Sequence, residues 1–182
     1  MHSTRNGAGI GVAAVLSLGA SALSQTYYQA SDGTIDFEKA AFADPTDPAN
    51  WDSITPAVAI TRANVEGIYN PIQESGFSFS GSPLGTLWYF GGTVQDVIDG
   101  ALTLDDFNPW YLARPGLTPE IVGMDAVVYL EAEDAYFDLM FTDWGVGPSG
   151  GGAFAYTRAI VPAPATGAVI ALIGIVGVRR RR

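Results

Sequence analysis

From Ala135 to Thr142 the chain alternates with a period of two, and with the β-prone run at Ala126 to Glu131 before it this is its clearest segment and limits the folds open to it. Ala126-Val-Val-Tyr-Leu-Glu131 and Ala135-Tyr-Phe-Asp-Leu-Met-Phe-Thr142 are β-prone runs around a polar link, Ala132-Glu133-Asp134, which is the pattern of a hairpin. Successive side chains of a strand point to opposite faces. In the second arm Phe137, Leu139 and Phe141 share the expected core face, and Tyr136, Asp138 and Met140 the expected wetter face. Further strands are expected at Val58 to Thr61, Gly67 to Tyr69, Gly76 to Ser80, Thr86 to Phe90 and Phe154 to Ile160. Eleven prolines and twenty-two glycines interrupt helical periodicity, leaving one helical turn at Val94 to Gly100 with Asp96 and Asp99 exposed. Gly81-Ser-Pro83 and Gly91-Gly92 mark turns. Gly145 to Gly152 is expected to be a hairpin loop, since no Lys or Thr follows to build a phosphate cradle. Short strands separated by turns predict one all-β domain, an antiparallel β-sandwich or jelly roll.

Composition narrows the chemistry. The nineteen Asp and Glu all lie between residues 25 and 160, against Lys39, Arg62, Arg114 and Arg158, a formal charge near −15. With no basic stripe to displace counterions, nucleic-acid binding is excluded. Cysteine is absent and the single histidine is His2. A Ser-His-Asp triad, a cysteine nucleophile and a nitrogen- or sulfur-ligated zinc are therefore excluded from the central domain. Paired carboxylates and oxygen-ligated cations are what remain.

The two ends read as targeting segments. Residues 1–24 carry Arg5, an apolar and small-residue stretch from Ala8 to Ala20, then Ala22-Leu23-Ser24, the layout of a secretory signal peptide cut after Ser24, with Ala22 as the alternative site. Residues 161–182 carry Pro162-Ala163-Pro164, an uncharged apolar run from Ala165 to Val178, and Arg179, Arg180, Arg181 and Arg182. An apolar run tipped by arginine rests in a bilayer with the arginines on the cytoplasmic side. Residues 25–160 then form the exported β domain.

Both ends together resemble the PEP-CTERM class of exported bacterial proteins, with Ala163 where the family usually has Glu. The resemblance implies membrane anchoring, at least transient, a membrane-embedded exosortase-like enzyme as processing partner, and a setting at the cell surface or in the extracellular polysaccharide matrix. A second resemblance rests on Ile60 to Asn70, Gly85 to Gly91, Phe141-Thr-Asp-Trp-Gly145 and Phe154 to Arg158. It is to a group of secreted bacterial proteins, and it implies an independent extracellular β domain with no catalytic residue.

Acidic clusters are the first candidate sites. Asp32, Asp36 and Glu38, then Asp44, Asp47 and Asp52, and Asp105-Asp106 suggest hard-cation ligands, but the spacing of a calcium loop fails and solvated turn acids account for them; no metal or other cofactor is expected. Glu131 and Glu133 stand about 6.5 Å apart by strand rise, within the spacing of a carboxylate glycosidase, yet at a hairpin tip. Among Trp51, Trp88, Trp110, Trp144, Tyr89 and Tyr111, the candidate ligand-binding rings are Trp110, expected exposed in a loop after Asn108-Pro109, and Trp144. Trp88 is expected in or beside the core. Arg62, Arg114 and Arg158 are expected to pair with carboxylates, Arg158 with an acid in the neighbouring strand. A non-enzymatic exported envelope protein leads; a carbohydrate-binding module using exposed aromatics and a carboxylate glycoside hydrolase are the alternatives.

Overall fold

The hairpin lies at the centre of a computed structural model that describes residues 25–162. The strands are β1 (Thr26–Tyr28), β2 (Thr34–Lys39), β3 (Asp52–Ser53), β4 (Ala59–Arg62), β5 (Ile68–Tyr69), β6 (Thr86–Phe90), β7 (Asp125–Leu130), β8 (Ala135–Trp144) and β9 (Phe154–Ala159). Two short helices, α1 (Val94–Ile98) and α2 (Trp110–Ala113), lie in the connections. The fold is mostly β and mostly antiparallel. The signal-peptide expectation, Ala163, Pro164, the apolar run and Arg179 to Arg182 lie outside the described residues. Among the described residues no helix is long and apolar enough to cross a membrane.

β7 and β8 pair from Asp125 opposite Met140 to Leu130 opposite Ala135. The larger sheet runs β2-β9-β8-β7-β6. β9 pairs with β8 from Leu139 onward, and β1 lies parallel to the first three residues of β8. The chain leaves this sheet where Ala159 pairs with Thr34, at the opposite end of β9 from Phe154. Both edges are blunted. β2 carries exposed Asp36 and Glu38, and the outer side of β6 exchanges backbone hydrogen bonds with Asn108 at Trp88.

β3, β4 and β5 form a second, three-stranded sheet. With two of its strands only two residues long, it would be marginal alone. Its Ile60 and Ile68, with Ile54 and Val58 of the β3–β4 connection, instead share one core with Trp88, Phe90, Val128, Phe137 and Phe141 of the larger sheet. Each such side chain fully buried stabilises the fold by about 1.5–3 kcal/mol. Trp88 is core, as expected.

Three expectations need correction. The Tyr136 face is not wet, because Val94 of α1 and Phe107 pack over Val127, Tyr129 and Tyr136. Asp138 on that face accepts the N–H groups of Ala30 (2.9 Å) and Val94 (2.7 Å), tying down α1 and the turn at Ala30. Gly76 to Ser80 is not a strand. The Glu74 carboxylate accepts the N–H groups of Asn70 (2.7 Å) and Leu84 (2.8 Å) and the Ser82 hydroxyl, so the segment closes into a loop. β1, β2 and β3 carry no strand expectation in the sequence.

The β8–β9 ladder has one irregularity. Its register shifts between Phe141 and Asp143, leaving Thr142 as an extra residue. A single inserted residue reverses the alternation beyond it. Trp144 therefore faces the same core as Phe141, at the Phe154 end of β9.

Candidate ligand-binding groove

At that end a groove of about 470 Å³ opens beside Trp144. Arg62, the last residue of β4, is 3 % exposed and lies with its guanidinium carbon 3.8 Å from the centre of the Trp144 ring. Its Nε donates to the Glu66 carbonyl (2.6 Å), and its Nη1 to the carbonyls of Gly145 (3.0 Å) and Ala153 (2.8 Å). Burial pulls its pKa down to about 10, against the nearby charge of Asp143, so it remains a cation at neutral pH.

Trp110 stacks on Trp144, with ring centres 5.4 Å apart and planes at 26°. Phe77 meets the Trp110 ring edge-on, at 6.1 Å and 86°. Gly67 permits this close approach, since a Cβ there would lie 2.5 Å from Phe77 and 2.7 Å from Trp110. Tyr111 carries the Arg114 guanidinium 4.1 Å above its ring and meets Phe79 edge-on at 4.8 Å. Arg114 Nη1 donates to the Gly116 carbonyl. Exposed Phe79, Val65, Leu117 and Val146 form an apolar rim.

The two candidate rings thus come together in one groove, but not as an exposed platform. Trp110 is fully buried. Pro109, with φ −50°, precedes α2 and starts a helical turn instead of extending the loop, which swings Trp110 inward. Sequence reasoning missed Phe77 and Phe79, whose Phe-Ser-Phe-Ser alternation passes for a strand. It also missed the part played by Arg62 and Arg114.

The arginines divide. Arg158 pairs with a carboxylate as expected, through Nε to Asp52 Oδ2 (2.6 Å) and Nη2 to Asp52 Oδ1 (2.9 Å). That acid belongs to β3 in the other sheet, not to a neighbouring strand. The Tyr156 hydroxyl also donates to Asp52 Oδ2 (2.7 Å), and Arg158 Nη1 donates to the Ala159 carbonyl. Burial, then the charge and hydrogen bond of Asp52, push the Tyr156 pKa well above its usual value. For Arg158 burial acts downward, but the hydrogen bond and charge of Asp52 outweigh it and raise the pKa. Arg62 and Arg114 have no carboxylate partner among the described residues; carbonyls and aromatic rings hold them instead, contrary to expectation. Lys39, in β2 opposite Phe154, is 1 % exposed with no hydrogen-bond acceptor for Nζ among the described residues. Burial, then the charge of Arg62, lower its pKa.

The acids mostly shape turns. Asp44 accepts the N–H and hydroxyl of Thr46, which lowers its pKa, and Asp47 accepts the Ala49 N–H. No three acidic side chains converge on a metal-sized point among the described residues. Glu131 and Glu133 sit in the β7–β8 turn, outside the groove, where Glu66 is the lining carboxylate. A second hollow of about 170 Å³ is lined by Asp125 and Asp138, but both Asp138 oxygens already accept backbone N–H groups.

Comparison with protein families, with curated proteins and with solved structures finds no match for this chain.

Proposed function

We propose that this chain is an exported surface domain that binds extracellular polysaccharide through the aromatic–arginine groove and is delivered and sorted by its two terminal segments. The groove carries the proposal: one concavity gathers two tryptophans, a tyrosine, two phenylalanines and two guanidinium groups. Sites for small ligands are concave and mainly apolar, with a few polar groups that fix orientation. Sugar C–H faces suit the exposed Phe79 ring and the Tyr111 side of the groove better than the enclosed tryptophan stack. No catalytic step is assigned. The two sheets contribute to one shared core, and we take them as a small β-sandwich rather than a jelly roll.

The sorting part of the proposal rests on residues 1–24 and on the PEP-CTERM resemblance of residues 161–182. Cutting after Ser24 and near Pro162 would remove no strand, since the strands span Thr26 to Ala159. Two measurements test the whole. Tryptophan fluorescence should change on titration with at least one class of glycan, and a flat response across neutral and acidic glycans would remove the binding assignment. Mass spectrometry of the mature protein should find Gln25 at its start and no terminal arginines; an intact arginine peptide would overturn processing by an exosortase-like enzyme.

A further inference from the structure

We propose that the groove selects a sugar bearing a carboxylate, a uronic acid residue, over its neutral counterpart; this rests on the polysaccharide assignment above. The first support is the placement of charge. Residues 25–160 hold nineteen acids and four cations, so pairing with a carboxylate is the default for any guanidinium here. Arg158 follows that default with Asp52. Arg62 and Arg114 do not, and both line the groove.

The second support is a surplus of donors. Trp110 Nε1 and Arg114 Nε are buried and meet no acceptor among the described residues. Both groups can only donate, and an unmet buried donor lowers stability. Trp110 has no exposed surface and packs behind the groove, but Arg114 is a half-buried lining residue. Its unmet donor, beside two guanidinium groups without a carboxylate, suits a ligand rich in acceptor oxygens.

Geometry sharpens the choice. Both guanidinium groups sit over aromatic rings, and the N–H edge of a guanidinium matches the two oxygens of a carboxylate. Arg62 is fixed by three carbonyls that occupy Nε and Nη1, leaving Nη2 without an acceptor among the described residues. The volume of about 470 Å³ falls within the ~300–1,000 Å³ of small-ligand sites. Phe79 and Leu117 supply apolar contact for the ring of a sugar. Glu66, an exposed carboxylate on the same rim, opposes an anionic ligand and thereby provides a test of sign.

The test uses the full chain in detergent at about 0.15 M salt, where charges beyond roughly 8 Å are screened. Titration calorimetry compares short oligogalacturonates and oligomannuronates with the same oligomers after reduction of their carboxyl groups. The acidic form of at least one pair is expected to bind at least tenfold more tightly. Arg114→Gln should abolish most of that preference, with near-UV circular dichroism confirming the native fold. Glu66→Gln should strengthen binding of the acidic oligomer more than that of the reduced one. Equal affinity for the acidic and reduced forms overturns the selectivity while leaving polysaccharide binding intact. So does binding confined to neutral glycans. Loss of all glycan binding, acidic and neutral, overturns the polysaccharide assignment itself.

Discussion

Arg158 and Arg62 are both buried guanidinium groups at the join between the two sheets, and they are held in opposite ways. Arg158 meets a bidentate carboxylate, with a tyrosine hydroxyl on the same acid. Arg62 meets three backbone carbonyls and an aromatic ring, with no carboxylate partner among the described residues. The first arrangement is closed: charge meets charge, and β3 is fastened to β9. The second is only partly neutralised, because carbonyl dipoles solvate a cation without cancelling it. The same residue type thus serves as a clamp in one place and as a fixed positive wall in the other. Partnership, not burial, separates the two roles.

The largest effect should fall on the clamp. Asp52→Ala leaves Arg158 buried without its counter-charge, and urea denaturation should show a loss of about 3–5 kcal/mol. A loss smaller than that of Arg62→Met would break the contrast. Arg62→Met leaves the carbonyls of Glu66, Gly145 and Ala153 without their donor and should cost about 2–3 kcal/mol in the same assay.

Lys39→Met should act in the other direction, stabilising by about 1–2 kcal/mol at neutral pH, because it removes a buried amine with no acceptor. The sign of its pH dependence follows from the lowered pKa. The folded protein releases the Lys39 proton more readily than the unfolded chain, whose pKa stays near the ordinary 10.5. The penalty is therefore complete below the folded pKa and fades as pH rises towards 10.5. Denaturation midpoints of the two proteins should converge as pH rises through that window. Arg114→Gln is the smallest perturbation, within about 0.5 kcal/mol of the parent. A large destabilisation would place Arg114 with the clamp and not with the groove.

Local patterns made much of the larger sheet legible. β6, β8 and β9 follow their alternation and β7 its β-prone apolar run, and α1 follows Thr93 and Asp96, where the carboxylate accepts both the N–H and the hydroxyl of Thr93. β1 is three residues long and parallel to β8, too short to leave a period. β2 is an edge strand whose acids protect it from further pairing, and in sequence those acids pass for loop ligands. The groove was legible only as residue types. Trp110 and Trp144 could be named as rings, but two events outside any period decide their orientation: the extra residue Thr142 and the helical turn after Pro109. Nor could a strand pattern separate Arg62 from Arg158, since the distinction rests on Asp52, 106 positions away from Arg158.

The course of β9 has a consequence for reach. Its first residue, Phe154, pairs with Trp144 of the groove, and its last, Ala159, three residues before Pro162, lies about 17 Å away at the rise of a strand. Under the proposed anchoring beyond Pro162, the strand would set the groove away from the lipid surface, with the sheet itself serving as the spacer.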